Sequence, residues 1–215
     1  MFRSLFLVVA IFLLTLSTAH AGTQTSSLAP DSYPTYSSST PTSPPSVTSS
    51  GDIFRQPDLV SFGIAYDDFD KSEARRQSGD FRAEYRWGMS LLPMVSPYFK
   101  SWDDYVQFHP FAGGELGTLG QIYGLGGFAM DAYIGRHVIF TWSEGAGLYY
   151  GGDSVRLGSV LEFRSMAEIG WRFDNEMRLT FEVSHVSNAK ITTFNPGNEY
   201  AGIYFHVPAS MIFGQ

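Results

Sequence analysis

The 215-residue chain predicts an all-β fold, an eight-stranded antiparallel up-and-down transmembrane β-barrel. Three observations carry that prediction. Eight runs alternate apolar with polar or small residues at the period of two that a strand imposes. On the most regular runs, charges of both signs share one face, and bulky aromatic and aliphatic residues take the other. Aromatic residues make up 16% of the chain, alongside 22 glycines and no cysteine. That composition suits a barrel whose outer wall meets lipid.

The first residues do not belong to that fold. Arg3, the apolar run from Leu5 to Leu16 and Ala19-His20-Ala21 before Gly22 have the three parts of a secretory signal peptide, over residues 1–21. The run is shorter than the roughly 20 residues a helix needs to cross a bilayer. Residues 22–51 are dominated by Ser, Thr and Pro and bury too little apolar surface to offset their ordering entropy, so a disordered tether is expected there. Residues 52–215 remain for a single barrel domain.

Within that domain the first run lies at about 58–67. In the second, Phe81, Ala83, Tyr85, Trp87, Met89 and Leu91 oppose Arg82, Glu84 and Arg86. Glycine-rich runs follow at about 105–116, 120–134 and 137–149; in the last of these Glu144 breaks the apolar row, which suggests a bulge or a shifted register. Next, Leu157, Leu161, Phe163, Ala167, Ile169, Trp171 and Phe173 oppose Glu162, Arg164, Glu168 and Arg172. Met177, Leu179, Phe181 and Val183 oppose Arg178, Thr180 and Glu182. The last run sets Ala201, Ile203, Phe205, Val207, Ala209, Met211 and Phe213 against Tyr200, Tyr204 and His206. Longer polar connections such as 67–79 alternate with short ones such as Asp174-Asn175-Glu176, as in an up-and-down barrel.

A soluble barrel would alternate in the same way, so the faces need a separate argument. The interior of an eight-stranded barrel is just wide enough to be filled by side chains, and this many inward Phe, Trp and Leu would overfill it. Paired charges therefore belong inside and aromatics outside. The net charge of −7 argues against a nucleic-acid binder, and the lack of cysteine excludes a disulfide scaffold. Gly124-Leu125-Gly126-Gly127 lacks the strand-to-helix context of a phosphate loop. His109, His137 and His206 have no ligand spacing, so no metal or other cofactor is expected. Arg75, Arg76 and Lys190 fall in the longer loops as solvated charges that are able to meet phosphate groups.

One stretch places hydrogen-bonding groups on the apolar face. If the hairpin turns at Asp174-Asn175-Glu176, antiparallel pairing carries the outward row through Leu179, Phe181 and Val183 to His185 and then Ser187. The outward row of the last strand, extended backward, reaches Glu199. A serine, a histidine and a carboxylate on adjacent strands suit nucleophilic hydrolysis: Ser187 attacks, His185 takes its proton and Glu199 orients the imidazole. Residues two apart on one strand face lie about 7 Å apart at the backbone, within reach for leaning rotamers. Asn188 and nearby backbone N–H groups are candidate donors to an oxyanion. The same three residues at the headgroup level are also ordinary for a barrel that catalyses nothing.

His185-Val186-Ser187-Asn188-Ala189, Asn195-Pro196-Gly197, Glu199 and the closing Tyr204-Phe205-His206-Val207-Pro208 resemble the lipid A 3-O-deacylases, the PagL family. The resemblance implies an eight-stranded barrel of the Gram-negative outer membrane. It implies a Ser187-His185-Glu199 triad facing lipid that hydrolyses the 3-O-linked acyl ester of lipid A and releases a 3-hydroxy fatty acid, with Asn188 assisting the oxyanion and Asn195 shaping the loop. The partner so implied is lipid A, or lipopolysaccharide, in the outer leaflet. The oligomeric state stays open, a homodimer included. Two positions depart from the family pattern: Lys190 stands where a glycine is common, and the chain ends Ile212-Phe213-Gly214-Gln215 rather than on an aromatic residue. The competing readings are a structural or adhesive barrel whose loops bind a partner, and a soluble barrel holding an apolar ligand.

Overall fold

Strict alternation gives each strand one apolar and one polar face, and the chain resolves this by closing a sheet with the polar faces inward. The computed structural model describes residues 56–67, 78–91 and 106–214, so the expected signal peptide, the Ser/Thr/Pro segment and Arg75-Arg76 lie outside the described residues. Eight strands follow one another: β1 (Leu59–Asp67), β2 (Gly79–Arg86), β3 (Val106–Gly117), β4 (Ile122–Ile134), β5 (Val138–Tyr150), β6 (Leu161–Arg172), β7 (Arg178–Ser187) and β8 (Asn198–Pro208). Each pairs antiparallel with the next, and β1 pairs with β8 to close the barrel. Glu144 sits in unbroken one-to-one register on both sides, so neither a bulge nor a slip accounts for it.

The register is staggered. Followed from Leu59 through Arg86, Phe111, Gly127, Gly145, Arg164 and Val186, it arrives at Asn198, ten residues from Pro208, the β8 partner of Leu59. Rows of paired residues therefore run obliquely around the wall, as strand tilt requires.

The interior is polar. Arg164 binds Glu84 and Glu115 at 2.5 Å each, Arg86 binds Glu168 at 2.6 Å and Glu84 at 2.9 Å, Arg82 binds Glu182 at 2.8 Å and Arg178 binds Asp131 at 2.7 Å. His206 bridges Ser61 and Thr180 inside, and His109 lies 3.1 Å from Asp131. This network of ion pairs occupies the part of the interior where a carrier of an apolar ligand would need apolar walls, and the buried apolar residues gather at the loop end around Leu157 and Tyr123. Outside, Phe62, Ile64, Phe81, Leu116, Phe128, Ile169, Trp171, Phe181 and Ile203 are all exposed, the inverse of a water-soluble protein and the arrangement of a membrane barrel.

Three expectations change. The last run does not stay extended to Phe213: β8 ends at Pro208, and a short helix, α1 (Ala209–Phe213), follows with Gly214 as its left-handed C-cap. Leu157 does not join the outward row. It lies in the β5–β6 loop, buried beside Tyr123, Tyr149, Val186 and Tyr200. The end with short turns also carries the longest connection, residues 87–105, whose described part continues along β3 through Trp87 N–H to Pro110 O (3.1 Å) and Leu91 N–H to Phe108 O (2.6 Å). At that end Gln56 enters the barrel and accepts hydrogen bonds from Arg178 and Tyr133.

Candidate active site

The outward row of β7 ends in Val183, His185 and Ser187, and that of β8 begins at Glu199. Register pairs His185 directly with Glu199, placing their side chains on the same outer face. His185 Nδ1–H donates to Glu199 Oε1 at 3.3 Å, with the side chains 25% and 30% exposed. That bond fixes the ring and leaves Nε2 as the nitrogen able to act as a base. Ser187 lies two residues on, half-buried, in the same row. Among the described residues no group hydrogen-bonds its hydroxyl, so the structure joins His185 to Glu199 and leaves Ser187 without a hydrogen bond to the imidazole. Such contacts often tighten only when substrate arrives.

The β7–β8 loop holds the imidazole from the other side. Gly197 has φ +66, and a Cβ there would sit 2.6 Å from His185 Cε1 and 3.3 Å from Nε2. Glycine is required twice over, for the backbone and for the space the ring occupies.

Asn188 is wholly buried, and its hydrogen bonds are spent within the loops. Its Nδ2 donates to Leu157 O (2.9 Å), Thr192 Oγ1 (2.8 Å) and Phe194 O (3.0 Å), while its Oδ1 accepts Lys190 N–H (2.9 Å). Its backbone N–H donates to Asn195 Oδ1 at 3.1 Å. Its carboxamide and its amide N–H are thus engaged within the loops, and the Asn195 side chain holds the same turn. Among the described residues no group accepts a hydrogen bond from the backbone N–H of Ala189. Ala189 and Lys190 adopt φ +50 and +67, which explains why a glycine suits position 190.

Glu144, on β5, was not expected in the site. It pairs with Ser165, which pairs with His185. Trp142 Nε1 donates to Glu144 Oε1 at 3.0 Å and Ser165 Oγ donates to Oε2 at 2.7 Å. Apart from aromatic residues, the polar side chains on the outward rows of the eight strands are Glu144, Ser165, His185, Ser187 and Glu199. They form one contiguous patch on an otherwise apolar wall. The sequence signal was the break in the apolar row at 144; what it lacked was the register that aligns this break with His185.

The family model for lipid A 3-O-deacylase (PagL) matches residues 61–208. The crystal structure of the outer membrane enzyme PagL aligns with a TM-score of 0.50 at 17% identity, covering 70% of this chain and 99% of that one. Neisserial surface protein A aligns with a TM-score of 0.47 at 9% identity, over 70% of this chain and 96% of its own. No curated protein matches the sequence. The family match runs from Ser61 in β1 to Pro208 at the end of β8 and takes in the whole patch, so the chain belongs to the lipid A 3-O-deacylase (PagL) family of outer-membrane hydrolases.

Proposed function

We propose that this protein is a serine esterase that cleaves the 3-O-linked acyl ester of lipid A at a triad facing the outer leaflet. The observation that carries the proposal is the His185–Glu199 contact on the lipid-facing wall, with Ser187 next in the same row. A soluble hydrolase would bury such groups in a cleft; a substrate anchored in the membrane by its acyl chains must meet them on the outside.

In this mechanism His185 Nε2 accepts the Ser187 hydroxyl proton as Oγ attacks the ester carbonyl. Glu199 holds the ring by Nδ1 and stabilises the imidazolium. The carbonyl electron pair moves onto oxygen, and in this reading the Ala189 N–H, on the loop held by Asn188 and Asn195, donates to that charge. Collapse of the tetrahedral adduct breaks the bond to the sugar oxygen, which takes the proton from His185 and leaves as a hydroxyl. Water, deprotonated by His185, then attacks the acyl-enzyme and releases the free 3-hydroxy fatty acid while Ser187 regains its proton.

The test is mass spectrometry of lipid A from cells producing the full chain. Loss of one 3-hydroxyacyl group is expected with the native protein, and no loss with Ser187→Ala. An unchanged lipid A profile with the native protein, folded and in the outer membrane, would overturn the proposal.

A further inference from the structure

A carboxyl group facing lipid from the middle of a strand is costly, and here it is built in with care. Glu144 is the seventh of the 13 residues of β5, about 20 Å along the strand from Tyr150 at its loop end. Its outward neighbours on the strand are Trp142 and Ala146, and across β4 it meets Phe128. Two donors, the Trp142 indole and the Ser165 hydroxyl, hold one oxygen each. A carboxylate offers about four acceptor sites, so acceptor capacity remains on each oxygen.

The row linking Glu144 to the triad is oblique. Glu199 is the second residue of β8, His185 the third from the end of β7, Ser165 the fifth of β6 and Glu144 the seventh from the end of β5. The polar patch thus descends from the loop end into the apolar belt as it moves away from Ser187. Two strand spacings separate Glu144 from His185, about 10 Å at the backbone. A lipid whose ester lies at Ser187 has its sugar near the loops and its neighbouring chain alongside the wall toward β5. In that pose a hydroxyl a few bonds down the chain would come level with Glu144, whereas a sugar hydroxyl would stay near the loops.

We propose that Glu144, braced by Trp142 and Ser165, is a second binding subsite that accepts the hydroxyl hydrogen of a hydroxylated acyl chain neighbouring the one being cleaved. The subsite rests on the lipid A reading for its substrate class, and it sets which ester is presented to Ser187. The analogue without the hydroxyl leaves the remaining acceptor capacity of this lipid-facing carboxylate unused, so it should bind more weakly.

Equilibrium binding in detergent micelles tests it without turnover. The probes are two synthetic diacyl glucosamine phosphates, identical except for the hydroxyl on the amide-linked chain. The full chain carrying Ser187→Ala is expected to bind the hydroxylated probe about tenfold more tightly. Adding Glu144→Ala should abolish the preference, and Glu144→Gln, whose amide oxygen still accepts, should keep part of it. Heat-dependent electrophoretic mobility checks that each barrel is folded. Equal affinity for the two probes in Ser187→Ala, or a preference that survives Glu144→Ala, overturns the subsite. If the preference is present but protein with Ser187 intact cleaves neither probe, the subsite stands and the esterase reading falls. Cleavage of both probes with no preference in binding has the opposite meaning.

Discussion

At the scale of single residues, the His185 ring is confined between Glu199 and the bare Cα of Gly197. Gly197→Ala adds a methyl group into the imidazole and forces a non-glycine residue to φ +66. Because a misplacement of about 1 Å in a reacting group costs on the order of 100-fold in rate, kcat of Gly197→Ala in a micellar ester assay should fall by about that factor. KM should change little, since the acyl contacts are untouched. Lys190 presents the reverse case. It holds φ +67 with a side chain, and relief of that strain by Lys190→Gly should raise the unfolding free energy by about 1 kcal/mol in a urea titration of the barrel in lipid vesicles, without loss of activity. These local constraints were only partly legible. Period two, with the hairpin turn at Asp174-Asn175-Glu176, put His185 and Ser187 on the outward row of β7 and Glu199 on that of β8, because a strand face is fixed by residue parity. Nothing in the residue types shows that Asn188 turns inward, since that depends on carbonyls of Leu157 and Phe194 far apart in the chain.

At the scale of elements, the two loops at the site end behave as one unit. Asn188 of the β7–β8 loop donates to Leu157 of the β5–β6 loop, Thr192 donates to Gly158 O at 3.3 Å, and Leu157 itself is buried among Tyr149, Val186 and Tyr200. Asn188→Ala removes all four side-chain hydrogen bonds at a fully buried position and leaves their partners unsatisfied, a cost of about 1–3 kcal/mol. The loops should then separate, which limited proteolysis of the folded barrel would detect as new cleavage near 157 or 192. Activity should fall although Asn188 touches no reacting atom. The same element view explains where sequence reading strayed. Leu157 continued an alternating row but had no neighbour strand to pair with, so burial at the barrel mouth won. After Pro208 one more backbone bond, Ala209 N–H to Asp58 O at 2.7 Å, follows before the apolar tail coils into α1.

For the whole molecule, the deciding fact is that polarity is inverted, with ion pairs inside and aromatics outside. This was legible because the charged residues of both signs fell on one face of the strands, and an eight-stranded interior has no room for the aromatic face. Which charges pair was not legible, because the partners are brought together by closure of the barrel across up to 100 residues of sequence, as with Arg82 and Glu182. The network also separates stability from the proposed chemistry: it lies inside the barrel, and His185, Ser187, Glu199 and Glu144 stand on the opposite side of the same wall. Arg164 sits between Glu84 and Glu115, with its guanidinium 5.4 Å from the Phe111 ring. Arg164→Ala leaves Glu84 to Arg86 and Tyr204, and Glu115 to a longer contact with Arg82 at 3.7 Å. The loss should therefore approach about 3–5 kcal/mol, the cost of breaking one buried pair, without reaching twice that. Urea unfolding in vesicles should show that loss. The rate per folded molecule should stay near that of the native protein, because the outward rows of β6 and β7 keep their register through backbone bonds. A fall in rate equal to that of Gly197→Ala in fully folded Arg164→Ala would mean instead that the interior network positions the proposed triad through the wall.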